Sequence, residues 1–276
     1  MNDPADSAMP AGAVRRAVER LRGGRVECDD DWIAAEIPVA LLYNGQPHVV
    51  MMATPANLAD FALGFSLSEA VIETAAELEG LEIRTLLEGI EISLRVPQRR
   101  ADAIALRQRN LTGRSSCGLC GTQELEDVVR HPARVEDAIT ISGDSLHRAL
   151  AALGAAQPLN AATGATHAAA WADAEGALIV VREDVGRHNA LDKLVGAMAK
   201  AAIDPRRGFL VVTSRASYEM VQKAATFGIA LIAAISAPTA LAIHLADSTG
   251  VTLIGFARRD GHVIYTHRQR ISAVET

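Results

Sequence analysis

Between residues 166 and 256, short apolar runs and amphipathic stretches take turns, and this alternation restricts the fold more than any other feature of the chain. Strand-like runs fall at 166–172, 177–182, 208–213, 230–235 and 251–256, with helix-like stretches at about 187–203, 216–227 and 238–249. The last three strands are separated by helices, a pattern that predicts a mainly parallel sheet covered by helices. With 276 residues, 49% of them hydrophobic, the chain can bury the core of one large domain or two modest ones.

Upstream the pattern differs. Residues 1–12 are small and polar and read as a tail, and 14–21 have helical spacing with Arg15, Arg16, Arg20 and Arg22, which predicts a basic, solvated helix. Strand-like runs at 32–37, 39–43 and 48–52 surround Asn44-Gly45, a strong hairpin signal. Thr54-Pro55 reads as an N-cap with proline at the first helical position, opening a helix over 55–72 whose Leu58, Phe61, Ala62, Phe65 and Leu67 belong to a core. A second hairpin at 81–87 and 90–96 and a charged helix at 99–108 follow, and Ser142-Gly143-Asp144 caps a helix ending near Gly154. The expected organisation is a tail (1–24), a hairpin-rich α+β part (25–141) and a three-layer α/β domain (142–276).

Two of the three cysteines lie in Arg114-Ser115-Ser116-Cys117-Gly118-Leu119-Cys120-Gly121-Thr122, ahead of a helix-like segment at 123–130. A thiol before a helix N-terminus, with an arginine nearby, is biased toward thiolate. A structural zinc site needs four ligands, and only this pair, a distant Cys28 and scattered histidines are present. A thioredoxin-like redox pair normally follows a strand, whereas 106–112 reads as a helix end and loop. A chance pair leaves the surrounding glycines without a purpose. A nucleophilic sulfur that carries a group, such as a persulfide, is the fourth reading.

A net charge of −6 and a pI near 5.8 argue against bulk nucleic-acid binding, which leaves a basic footprint. No apolar run reaches the length of a membrane span, and the polar opening lacks the features of a signal peptide, so a cytoplasmic protein with free thiols is expected.

Four strand-like runs end in polar loops: Glu183-Asp184-Val185-Gly186-Arg187-His188-Asn189, Ser214-Arg215-Ala216-Ser217, Ser236-Ala237-Pro238-Thr239 and Ala257-Arg258-Arg259-Asp260-Gly261. Ligands of open α/β sheets bind outside the carboxyl ends of strands, and three of these loops open helices, whose N-termini attract anions. Arg187, Arg215, Arg258 and Arg259 are candidate phosphate ligands, and Asp184, Asn189 and Ser217 candidates to read a purine or ribose. His188 is a ligand-contact candidate, while His167, in a small-residue strand, suits a packed or a functional role equally. Asp192 and Lys193 read as a surface ionic pair, Glu219 and Lys223 as an i, i+4 helix pair, and Cys28 as a packed side chain.

Arg-Ser-Ser-Cys-Gly-Leu-Cys-Gly (114–121), Glu-Asp-Val-Gly-Arg-His-Asn-Ala-Leu-Asp-Lys (183–193), Ser-Arg-Ala-Ser-Tyr-Glu-Met (214–220) and Ser-Ala-Pro-Thr (236–239) together resemble the FdhD family of formate dehydrogenase accessory sulfurtransferases. The resemblance runs from about Glu36 to Tyr265, with one departure: Ser68-Glu69-Ala70 carries alanine where the family has glycine. It implies a sulfur carrier that takes persulfide sulfur from a cysteine desulfurase and delivers it to the molybdenum bis(molybdopterin guanine dinucleotide) cofactor of formate dehydrogenase. It also implies a homodimer and a C-terminal half similar to the cytidine deaminase fold. The deaminase signature itself, His-x-Glu followed by Pro-Cys-x-x-Cys, is absent. By family match Cys117 bears the persulfide, Cys120 is the second thiol, and Phe256, Ala257, Arg258, Arg259, Asp260 and Gly261 form the cofactor-binding loop, a pocket that a guanine nucleotide such as GDP also suits. Asp184, Arg187, His188, Asn189, Ser214, Arg215, Ser217, Ser236 and Thr239 join this site through strand-end geometry alone.

Overall fold

The computed structural model describes residues 10–112, 132–135, 139–258 and 260–272. In chain order the elements are β1 (Ala13–Arg22), β2 (Arg25–Ala34), β3 (Ile37–Tyr43), β4 (Gln46–Ala53), α1 (Leu58–Ser68), β5 (Gly80–Thr85), β6 (Ile90–Arg95), α2 (Gln98–Thr112), α3 (Gly143–Ala155), α4 (Pro158–Thr163), β7 (His167–Asp173), β8 (Leu178–Asp184), α5 (Arg187–Lys200), β9 (Gly208–Val212), α6 (Tyr218–Thr226), β10 (Leu231–Ala234), α7 (Ala240–Thr249), β11 (Thr252–Arg258) and β12 (Gly261–Ile264). They form a two-stranded ribbon β1-β2, a four-stranded sheet β4-β3-β6-β5 and a six-stranded sheet β12-β11-β10-β9-β7-β8. No helix among the described residues is long and apolar enough to cross a membrane.

The expected helix at 14–21 is a strand. A tight turn at Gly23-Gly24 folds β1 onto β2 in an antiparallel ladder from Ala13↔Ala34 to Arg22↔Arg25. Cross-strand charge decides the outcome: four arginines and one glutamate on β1 meet four acidic residues and one arginine on β2. Arg15 reaches Asp30 at 2.8 Å, and Arg20 reaches Asp29 and Asp31 at 3.0 Å. Cys28, expected to pack, is exposed on β2. The Asn44-Gly45 hairpin forms as expected, with φ of 48° and 80° placing both residues in the left-handed region of a type I′ turn.

Strands β9, β10 and β11 are parallel, as the alternation predicts. The sheet is mixed, however, because β7 runs against both β8 and β9. Period-two alternation sends Ala169, Trp171, Leu210, Val212 and Ile232 to one face, where they share a core with α1, α5, α6 and the four-stranded sheet. Ala168, Ala170, Phe209, Val211 and Leu231 face the other way and pack against Leu146, Ala149 and Leu153 of α3. Helix α3 is capped by Ser142, which accepts from the Ser145 amide at 3.0 Å.

Helix α5, buried from Asn189 to Met198, makes its most extensive helix contact with α1. At the crossing a side chain on Gly64 would collide with the Asp192 carbonyl, and one on Gly196 with the Asp60 carbonyl, so the backbones touch. Asp60 then accepts from Arg182 of β8 at 2.8 and 2.9 Å and from Lys200 of α5 at 2.8 Å. Thr54 does not cap α1: its backbone and hydroxyl bond to the loop after β8, and the cap position falls to Asn57. At the far end Val71 N–H bonds to Ser66 carbonyl (2.8 Å) and Ala70 N–H to Leu67 carbonyl (3.1 Å), a Schellman closure with Ala70 at φ 50°. The alanine departure from the family pattern therefore sits at a left-handed position.

Two stability outcomes are expected. Ala70→Gly removes left-handed strain and raises stability by about 0.5–1 kcal/mol in urea unfolding. Burial alone would raise the pKa of Asp60, but the hydrogen bonds from Lys200 and Arg182 outweigh it and hold the carboxyl below its ordinary value. Its stabilising contribution is present above the unfolded carboxylate pKa and is lost as pH falls through the lower folded value. Asp60→Asn costs about 2 kcal/mol at neutral pH, and that deficit shrinks below about pH 4.

Candidate functional site

Because β7 opposes β8 and β9, strands β8, β9, β10 and β11 point the same way and their carboxyl ends lie along one sheet edge. The amino end of β7 reaches that edge too, with His167 in register opposite Asp184. Backbone bonds tie the loops together beyond the sheet: Thr239 N–H donates to Ala216 carbonyl at 3.0 Å and Phe256 N–H to Ser236 carbonyl at 3.2 Å. Helices α5, α6 and α7 all start at this edge, bringing three positive dipole ends to it.

The 183–193 motif divides into buried and outward-facing groups. Asp184, a candidate ligand from sequence, is fully buried and bonds to Lys193 Nζ at 2.6 Å, Thr54 N–H at 3.0 Å, Gly186 N–H at 2.8 Å and Asn189 Nδ2 at 3.0 Å. Asn189 also donates to Met52 carbonyl at 2.7 Å, so neither Asp184 nor Asn189 faces a ligand. Lys193 is equally buried and donates to Thr54 carbonyl at 2.9 Å; burial pulls its pKa below the ordinary lysine value despite Asp184. These residues clamp the β8–α5 loop onto the end of β4.

Asp192 is likewise buried, not part of a surface pair. Lys223 lies 2.9 Å from Asp192 and 2.8 Å from Glu69, and Ser68 donates to Asp192 at 2.6 Å. Burial pushes the Asp192 carboxyl up, and the two carboxylates hold the buried Lys223 above its ordinary value. The ammonium also sits 5.0 Å from the Phe65 ring centre. Glu219, expected to pair with Lys223, instead meets His188 Nε2 at 2.8 Å, with Ser217 Oγ at 3.4 Å from the same nitrogen. Burial lowers the pKa of His188, and Arg187 and Lys223 add to this against Glu219, so its neutral form is favoured.

Arg187 opens α5 with a buried Nε that has no hydrogen-bond partner among the described residues. Arg215, Arg258 and Asp260 are exposed, and Gly261 begins β12, so 256–261 is part of a β-hairpin. Ala257 is buried in the core beneath α3, whereas Phe256 is 42% exposed and held at φ 49° beside a bulge in the β11–β12 pairing. A bulky residue in that region signals strain at a place where function can use it. Ser214 Oγ is spent on the Arg215 carbonyl and Thr239 Oγ1 on capping Ala242 N–H, while Ser236 and Ser217 are half-buried on the edge. Cys117, Cys120 and Arg259, and the helix-like segment at 123–130, lie outside the described residues. Among the described residues no three His, Cys, Asp or Glu side chains gather into a metal site. His167, equally suited by sequence to a packed or a functional role, reaches the edge because of the direction of β7, which no local pattern encodes.

A family model described as FdhD/NarQ matches residues 34–272, and the chain belongs to that family. A protein of Xanthomonas euvesicatoria called sulfur carrier protein FdhD is 56% identical over 271 residues, 98% of this chain and 96% of the relative. A Bordetella petrii protein of the same name is 50% identical over 257 residues, covering 92% of each. The fold is similar to a crystal structure from Desulfotalea psychrophila, described as a candidate formate dehydrogenase accessory protein, with a TM-score of 0.72 at 23% identity, covering 94% of this chain and 99% of that one.

Lys223→Met leaves the buried Asp192 and half-buried Glu69 carboxylates without their cation and is expected to cost about 3–5 kcal/mol in chemical denaturation, whereas exposed Glu219→Ala costs below about 1 kcal/mol. Equal costs would return Lys223 to a simple helix pair with Glu219.

Proposed function

We propose that this protein is a sulfurtransferase that carries persulfide sulfur on its Cys-x-x-Cys loop and delivers it to the molybdenum bis(molybdopterin guanine dinucleotide) cofactor for formate dehydrogenase. The sulfur half of this reading rests on Cys117-Gly118-Leu119-Cys120 and on the names of the relatives. The ligand half rests on one observation above the others: strained, exposed Phe256 shares an edge with Arg187, whose buried Nε has no partner among the described residues. A ring and a guanidinium on one edge, after β11 and β8, offer groups suited to a base and to a phosphate. Arg215, Arg258 and Arg259 extend the cationic surface along the same loops. The helix-covered six-stranded sheet supports the kinship with cytidine deaminases that the family resemblance implies, without the zinc signature of that chemistry.

The Cys117 thiolate attacks the outer sulfur of the persulfide on a cysteine desulfurase, and the desulfurase thiolate leaves. Sulfur then departs by one of two routes. Cys120 thiolate attacks the outer sulfur and takes it over, or it attacks the inner sulfur, forming a Cys117–Cys120 disulfide and releasing hydrosulfide, with the two thiols supplying the electrons. The cofactor is the substrate of delivery, held by the strand-end loops. A homodimer, a cysteine desulfurase and formate dehydrogenase are the proposed partners, in the cytoplasm.

Incubation of the reduced protein with a cysteine desulfurase and L-cysteine is expected to add the mass of one sulfur to the 115–122 peptide, reversibly on reduction. Cys117→Ala abolishes that gain while GDP affinity stays unchanged. No gain in the unsubstituted protein would leave a guanine-nucleotide-binding chaperone as the better reading.

A further inference from the structure

We propose that His167 and Arg187 form a two-pronged hook for the pyrophosphate of the bound nucleotide, and that His167 takes up a proton as the anion seats. This rests on the nucleotide-binding reading above and assigns that site a specific anion contact and a pH response. His167 is the first residue of β7 and lies opposite Asp184, the last residue of β8, at the edge where α5 begins. Residues 169 and 171 of β7 face the core shared with α5, so the alternation turns the His167 ring to the same side. The ring is half-buried, and no hydrogen bond to either of its nitrogens is formed among the described residues. Arg187 Nε is buried and has no hydrogen-bond partner among the described residues.

The surroundings favour an anion from every side. On β8, Asp184 is neutralised by Lys193 at 2.6 Å. Glu183 is held away by the Leu159 and Asn160 amides and the Thr166 hydroxyl, at 3.0, 2.7 and 3.2 Å. On α5, Arg187 adds positive charge and His188 is engaged with Glu219 at 2.8 Å. After β9, Ser214 and exposed Arg215 contribute no negative charge. Burial and the Arg187 charge lower the pKa of His167, so the free protein holds it neutral at physiological pH. A pyrophosphate between the two side chains reverses that balance: it compensates Arg187 and attracts a proton to the imidazole. Arg187 supplies fixed charge, and His167 supplies charge only when the ligand is present.

The test uses GDP-mannose, whose diesterified pyrophosphate does not titrate in this range, and the unsubstituted full chain. Calorimetry at neutral pH in two buffers of different ionisation enthalpy is expected to show uptake approaching one proton, and affinity should fall by up to about tenfold per unit between about pH 6 and pH 8. In His167→Gln the uptake disappears and the affinity becomes flat with pH, whereas Arg187→Gln weakens binding at all pH values. Binding without proton uptake overturns the hook and leaves the nucleotide site standing. Uptake that persists in His167→Gln assigns the proton elsewhere, His188 first, and overturns it as well. Failure of both GDP and GDP-mannose to bind at any pH defeats the nucleotide reading itself, and the hook with it.

Discussion

The fold depends on one close approach, the crossing of α1 and α5 at Gly64 and Gly196, where only hydrogen atoms stand between two backbones. Helix α1 belongs to the first half of the chain and α5 to the second, so this contact fuses them into a single core. The short separation brings Asp60, Ser68 and Glu69 within reach of Arg182, Lys200, Asp192 and Lys223. Wider spacing would leave Asp60, Asp192 and Lys223 buried with fewer partners, a far larger penalty than the intrinsic cost of glycine within a helix.

Buried charge then sets the shape of the candidate site. Asp184, Asn189 and Lys193 bolt the β8–α5 loop to the end of β4, and Asp192 with Lys223 bolts α5 to α6. A motif that looks rich in ligand groups is mostly a set of internal fasteners, and these leave Arg187 and His188 near the surface. Rigidity of this kind is what a phosphate-bearing ligand requires, because a guanidinium fixed before binding gives up little freedom on contact.

Much of the second half was legible in the sequence, since β9, β10 and β11 with their helices follow apolar runs whose period and length leave few alternatives. The Asn44-Gly45 hairpin and the Ser142 cap were legible for the same local reason. The errors share a different cause. The strand at 13–22 is fixed by acids across a turn, Thr54 is diverted from capping by a loop 130 residues away, and Lys223 prefers Glu69 and Asp192 over its helical neighbour Glu219. In each case a partner distant in sequence outweighs the local preference. The direction of β7, which brings His167 to the edge, is likewise set by its two neighbours in the sheet.

The β1–β2 ribbon stands apart in how it is held. Its strands are mostly exposed, and opposite charge across the ladder does much of what a core does elsewhere. Attraction between solvated ions fades as dissolved salt shortens the Debye length, whereas apolar burial does not. Among the described residues, the ribbon is therefore the part whose order leans most on the ionic composition of its surroundings.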